Sequence, residues 1–283
     1  MALTRIAFAS IVLAGCLATP ARPRDDAAVA DAQRDGAGDS AACAGAWTTP
    51  TPLTELTNLV TGEPTITGDK LQLFWSVQNS ATSWEIHWAS RDAVTDIFSD
   101  RGTLPIIDNP SGIDQDPSIS DDGLVLMYRV GANEQGAELH EVTRSAATDA
   151  WGNPATLAGL TTVTPASLDL SADGLTVYYV TSQTLRSATR GSRTAAFTAN
   201  GVSLGTMFRF PAISGDELTL YYEVGTSGSI YRTVRGSTTS AFPAGSVLFN
   251  DTNLHDVDVT ADETTLVVAT RDGNTIAIST RCP

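Results

Sequence analysis

Positive charge is what this sequence has least of: 17 Lys and Arg stand against 32 Asp and Glu, for a formal net charge of −15 over 283 residues. Without a basic face nothing can neutralise a phosphate backbone, so nucleic acid is not an expected partner. Histidine is limited to His87, His140 and His255, which leaves little for a metal centre. The apolar run near the start, Ile6 to Leu13, falls well short of the roughly 20 residues that span a bilayer. What is plentiful is Thr, Ser, Gly and Val, which suits short strands joined by tight turns. A repetitive β architecture of this length needs no internal boundary, so one folded unit is expected.

Arg5, the apolar run and the small residues Ala14 and Gly15 read as a signal peptide over residues 1–15. The stretch Leu13-Ala14-Gly15-Cys16 resembles a bacterial lipobox. That resemblance implies that Cys16 is diacylated, becomes the mature N-terminus, and holds the protein to a membrane through lipid alone. Leu17 is not the aspartate that, in this lipoprotein class, resembles an inner-membrane retention signal, so the outer membrane is the expected address. Residues 17–42 contain no aromatic and almost no large aliphatic side chain, and cannot bury enough surface to fold. Residues 16–42 are therefore a tether, with a reach on the order of 30 Å as a flexible coil, and 43–283 the folded part. Cys43 and Cys282 stand at the two ends of that part. An exported protein can keep a disulfide between them, with two free thiols as the alternative. In the chain-entropy model a bridge closing so long a loop stabilises by about 5 kcal/mol.

Internal periodicity decides the fold class. Five segments superpose: Pro64-Thr-Ile-Thr-Gly-Asp69 through Trp75, Pro117-Ser-Ile-Ser-Asp-Asp122 through Tyr128, Leu168-Asp-Leu-Ser-Ala-Asp173 through Tyr179, Pro211-Ala-Ile-Ser-Gly-Asp216 through Tyr222, and Val257-Asp-Val-Thr-Ala-Asp262 through Val268. Each reads as strand, Asp-containing turn, strand, because those turn residues tolerate the positive φ of a tight hairpin. A third strand follows each, ending in Arg91, Arg144, Arg190, Arg235 or Arg281 with an aliphatic residue five positions earlier. A fourth element pairs an aromatic with a later Leu: Phe98 with Leu104, Trp151 with Leu157, Phe197 with Leu204, and Phe242 with Leu248. The fifth repeat lacks one, while an orphan copy, Trp47 with Leu53, precedes the first. An all-β, five-bladed β-propeller of four-stranded antiparallel blades follows, its ring closed by an N-terminal strand that completes the last blade and hides an edge. Such closure sets residue 43 beside residue 282.

The pattern Ser/Thr-x-Asp-Gly-Leu-x-Leu-Tyr-Tyr followed by Ile/Leu-x-x-x-Thr-Arg resembles the TolB-type, WD-repeat-like β-propellers of exported bacterial proteins, over residues 46–283. It is most similar to repeats of uncharacterised bacterial lipoproteins. TolB itself resembles a partner-binding periplasmic protein, but this chain has no room for its extra N-terminal domain and shows five blades where TolB has six.

Candidate chemistry is sparse. Gly201-Val-Ser203-Leu-Gly205 matches G-x-S-x-G, but lies in a predicted strand without the strand-to-helix elbow that exposes a nucleophile. His87 and His140 share one register of neighbouring repeats, where ordinary packing is expected rather than a ligand pair. The run Asp114 to Gly123 lacks the glycine and terminal glutamate of an EF-hand loop, so no metal is implied. No cofactor is implied either. Asp69, Asp122, Asp173, Asp216 and Asp262, with Arg91, Arg144, Arg190, Arg235 and Arg281, recur in every repeat and read as scaffold: carboxylates closing turns, and Arg stems covering apolar surface between blades.

Function is sought where repeats differ. Six residues before the turn Asp stand Glu63, Asp116, Ser167, Phe210 and Asp256, with Arg209 and His255 alongside. In a ring, Asp256, Glu63 and Asp116 come from consecutive blades and gather at one mouth of the channel, a usual place for a ligand. The expected function is an envelope lipoprotein that binds a protein or glycan partner without catalysis. The alternative is a carbohydrate-active hydrolase, since two carboxylates in neighbouring blades resemble the start of a five-bladed glycoside hydrolase site. That family draws a third carboxylate from the following blade, where this chain has Ser167.

Overall fold

The structure is a computed structural model and describes residues 45–281 apart from 57–60, 81–82, 105–106, 108–111, 132–136, 162, 226–227 and 273. The signal peptide, Cys16, the tether, Cys43 and Cys282 lie outside the described residues.

The described chain is all β, with no α-helix among the described residues. A two-residue strand, β1 (Thr51–Pro52), comes first. The first repeat supplies β2 (Thr61–Ile66), β3 (Gln72–Ser80), β4 (Ser83–Ser90) and β5 (Ser99–Thr103), and the second β6 (Ile113–Ile119), β7 (Val125–Gly131), β8 (Glu138–Thr143) and β9 (Ala155–Thr156). The third supplies β10 (Ser167–Leu170), β11 (Thr176–Thr181) and β12 (Thr184–Thr189), then two short strands, β13 (Thr198–Ala199) and β14 (Gly205–Thr206). The fourth supplies β15 (Phe208–Ile213), β16 (Thr219–Val224), β17 (Ile230–Val234) and β18 (Ser246–Phe249), and the fifth β19 (Leu254–Val259), β20 (Thr265–Thr270) and β21 (Thr275–Thr280). Consecutive strands pair antiparallel within each repeat, and one parallel pair, Trp84 with Ile113, links the first two repeats. β1 pairs with β21, so the orphan N-terminal element joins the sheet of the fifth repeat. Where the third repeat carries Phe197 and Leu204, β13 and β14 pair separately with β12, because Gly201, with a φ of 63°, turns the chain out between them.

The recurring turn works the same way in all five repeats. Asp69, Asp122, Asp173, Asp216 and Asp262 each accept from a hydroxyl two residues earlier and from an amide two residues later, as in Thr67 Oγ1 (2.6 Å) and Leu71 N (2.9 Å) onto Asp69 Oδ1. The same hydroxyl accepts the amide that opens the next strand, as in Val125 N onto Ser120 Oγ at 3.0 Å. The recurring arginines sit one residue beyond the third strands. Nε of Arg91, Arg144, Arg190 and Arg235 each donates to a turn carbonyl of its own repeat, at 2.7–2.9 Å. Their guanidinium groups lie 4.1–4.4 Å from the centroids of Phe98, Trp151, Phe197 and Phe242. Arg281 Nε donates instead to Gly45 O at 3.0 Å, the N-terminal segment standing in for a fourth element. It is thus the guanidinium head, as well as the stem, that binds turn, third strand and fourth element together.

Apolar burial lies between sheets. Five clusters each join consecutive repeats, among them Val125 and Met127 with Leu168 and Phe197, and Tyr178 and Leu204 with Ile213 and Phe242. One joins Ile66, Leu73 and Trp75 of the first repeat to Val267 and Ile276 of the fifth. Among the described residues each apolar cluster draws on two repeats, so a single repeat has no core with which to fold alone.

Candidate functional site

The innermost strands β2, β6, β10, β15 and β19 surround a narrow central space. At its first level stand Glu63, Asp116, Ser167, Phe210 and Asp256, all lining one cavity. Four of these positions are β-bulges: Glu63, Asp116, Phe210 and Asp256 have φ between 45° and 53°, and the pairing register of each strand shifts there. A left-handed non-glycine residue costs about 1–2 kcal/mol. In three of the four it precedes a proline, Pro64, Pro117 or Pro211, whose missing N–H suits a position without a ladder partner. The bulges turn these side chains toward the next repeat.

Two of them, Asp256 and Glu63, accept amides that the bulges free, and Ser167 of the regular strand β10 accepts a third. Asp256 Oδ2 accepts from Glu63 N (3.2 Å), Glu63 Oε2 from Asp116 N (3.1 Å), and Ser167 Oγ from Phe210 N (3.1 Å). Asp116 also takes the buried guanidinium of Arg129, and Asp256 Oδ2 lies 2.7 Å from His255 Nδ1. Burial pushes the Glu63 carboxyl well above the usual carboxylate range, and the charges of Asp116 and Asp256 push it further. Burial also raises Asp116, while Arg129 and a hydrogen bond from Glu63 pull it down. Asp116 Oδ1 and Asp256 Oδ1 are buried and meet no N–H or hydroxyl donor. The cavity is only about 20 Å³, room for about one water molecule.

A second belt lies one level deeper, and the sequence reading missed it. Asp258 Oδ2 accepts from Ile66 N (2.9 Å), Thr65 Oγ1 from Ile119 N (3.2 Å), Ser118 Oγ from Leu170 N (2.8 Å), and Asp169 Oδ2 from Ile213 N (2.6 Å). The fifth member of the register is Ala212, which has no acceptor. A third level uses backbone alone, Gly68 N to Asp121 O (2.9 Å) and Asp121 N to Ala172 O (3.0 Å). A Cβ on Gly68 would meet Asp121 Oδ1 at 2.0 Å, so a larger residue there would displace the Asp121 carboxylate. The sequence signal for the second belt was a polar residue four before each turn Asp, in four repeats of five.

The remaining candidates disperse. Arg209 lies alongside the mouth but donates to Gly225 O (2.7 Å) and stacks on Phe210. His87 and His140 each contact a threonine of their own repeat, Thr103 (3.3 Å) and Thr156 (3.2 Å). Ser203 is exposed, and its Oγ contacts only Gly205 of its own loop. No group of three or more His, Cys, Asp or Glu among the described residues is arranged to hold a metal ion. Larger concavities lie between outer strands: about 780 Å³ between the first and second repeats, and about 470 Å³ between the third and fourth.

Among solved structures, a family 117 glycoside hydrolase from the marine bacterium Zobellia galactanivorans matches with a TM-score of 0.58 at 10% identity, over 84% of this chain and 90% of that one. The fold is a β-propeller. TolB from Acinetobacter baumannii matches at 0.46 and 10% identity, over 78% of this chain and 54% of its own. Regucalcin, a calcium-binding protein from Agrobacterium tumefaciens, matches at 0.49 and 14%, over 84% and 95%. The propeller spans 63% of a functionally unknown protein from Desulfotomaculum acetoxidans. At these identities the likeness is one of fold. No protein-family model matches the chain, and no curated protein does.

Proposed function

We propose that this chain is a lipid-anchored envelope protein whose five-bladed propeller, closed by β1 on the sheet of the fifth repeat, binds a protein or glycan partner and catalyses no reaction. The observation that carries the reading is that the mouth carboxylates are occupied by the scaffold: each accepts a neighbouring repeat's amide or pairs with Arg129 or His255. Glycoside hydrolysis needs two carboxyl groups roughly 5–9.5 Å apart with a sugar between them. Here Glu63 and Asp116 are hydrogen-bonded neighbours, and the space beside them admits about one water. The likeness to the Zobellia hydrolase favours the second reading, with Glu63, Asp116 and Asp256 as acid and base.

The two readings part on Asp116→Asn in the intact, detergent-extracted protein. As scaffold, Asp116 balances the buried Arg129, and the variant should lose about 3 kcal/mol of stability while neither protein releases reducing ends from envelope glycans. Release by the wild type that disappears in the variant would install the hydrolase instead. The anchor rests on the lipobox resemblance of Leu13 to Cys16. A Cys43–Cys282 disulfide is supported by Arg281 reaching Gly45 O, one residue from one cysteine and two from the other. Intact-mass spectrometry checks both: a diacylated chain starting at Cys16, two hydrogens lighter than its reduced form. An unmodified Cys16 or two free thiols would refute the corresponding part.

A further inference from the structure

The third-strand position three before the recurring Arg is Trp88, Glu141, Ser187, Arg232 and Ile278 in the five repeats. It faces the groove between one repeat and the next, and its identity decides whether that groove is filled. Glu141 fills the second groove with a pair to Arg190 NH1 at 2.9 and 3.1 Å. Arg232 reaches Glu263 at 3.8 Å in the fourth. Ile278 packs with Leu53 and the first-repeat cluster in the fifth. In the first groove Trp88 instead lines the concavity of about 780 Å³, together with Trp151, Leu104, Gln72, Arg144 and Asp149. That volume lies within the range of small-molecule sites, roughly 300–1,000 Å³. The homologous concavity between the third and fourth repeats has Ser187 in the register of Trp88, so the fold does not require an indole there.

We infer that the groove between the first and second repeats binds a neutral sugar ring, and this rests on the reading of the chain as a binding protein. Both indoles are half-buried and fixed: Phe74 stacks on Trp88 at 6.2 Å and 15° and meets Trp151 edge-on, while Arg144 lies 4.1 Å over Trp151. Aromatic rings held in this way supply apolar contact at little cost in side-chain entropy. Sugar rings match them, since their C–H faces pack on indole while their hydroxyls bond amide, hydroxyl and carboxylate groups such as Gln72, Ser90 and Asp149. The lining holds one cation and one anion, Arg144 and Asp149, so it selects for no net charge. An extended peptide has no strand edge to join on β4, because β5 already pairs with it from His87 to Ser90.

The test is glycan-array binding by the intact detergent-solubilised protein, followed by titration of the strongest neutral oligosaccharide against wild type, Trp88→Ser and Asp116→Asn. Ser is the residue the third repeat carries, so the variant keeps a side chain the scaffold accepts. The inference expects neutral glycans on the array, and about 30-fold weaker binding in Trp88→Ser, the loss from truncating an aromatic anchor. Unchanged affinity in Trp88→Ser, or an array with no neutral hit, overturns it. Capture of a peptide abolished by Trp88→Ser overturns the sugar while leaving the binding reading intact. Cleavage of the oligosaccharide by wild type but not by Asp116→Asn overturns the binding reading itself.

Discussion

Asp258 shows what a carboxyl does when a scaffold needs an acceptor. It lies in the second belt accepting Ile66 N, and burial raises its pKa from 3.8 to about 6. Across the axis Asp169 is raised well above its usual range, by burial and by the charge of Asp258. Between those two values the folded chain keeps a proton that the unfolded chain has released, so stability falls as pH climbs from about 4 through 6. The turn residue Asp216 acts with the opposite sign: the Ser214 hydroxyl and Leu218 amide hold it low, a contribution present above its unfolded pKa and lost as pH falls below it. Thermal unfolding should therefore be latest near pH 4 and several degrees earlier at pH 7.5. Asp258→Asn keeps an acceptor for Ile66 N and removes the titration, so this difference should shrink. An unchanged slope in the variant would mean that Asp258 titrates normally.

At the scale of strands and turns, much was legible because the repeat is local. The hairpin around each turn Asp and the arginine one residue past each third strand follow from residues a few positions apart, repeated five times, and the pairing of β1 with β21 from the one repeat that lacks its fourth element. The bulges were not read, although Pro64, Pro117 and Pro211 carry the signal: a proline inside an inner strand marks a residue with no ladder partner. The mouth was read as three gathered carboxylates, which is where Glu63, Asp116 and Asp256 lie. Their engagement was not, because it depends on which amide a neighbouring repeat presents. The open groove beside Trp88 was hidden for the same reason: it depends on what fills the homologous groove elsewhere.

For the whole molecule, each repeat leans on the next. Hydrogen bonds of the first two levels link the fifth repeat to the first, through Asp256 to Glu63 and Asp258 to Ile66, and an apolar cluster joins the same two repeats. The proposed ring makes stability a property of closure, and opening one interface should loosen its neighbours cooperatively. The N-terminal segment is where closure is most easily broken, since Leu53 N donates to Ile276 O at 2.8 Å and Thr48 N to Thr280 O at 2.9 Å. Amide hydrogen exchange on intact wild type and Leu53→Pro reads this most directly. A closed ring predicts that the variant loses protection together in β20, β21, β2 and β3, with earlier thermal unfolding. If exchange rises only in residues 45–56 while the rest of the molecule and its melting temperature stay as they were, the ring does not depend on that strand, and the five-bladed closed propeller is contradicted.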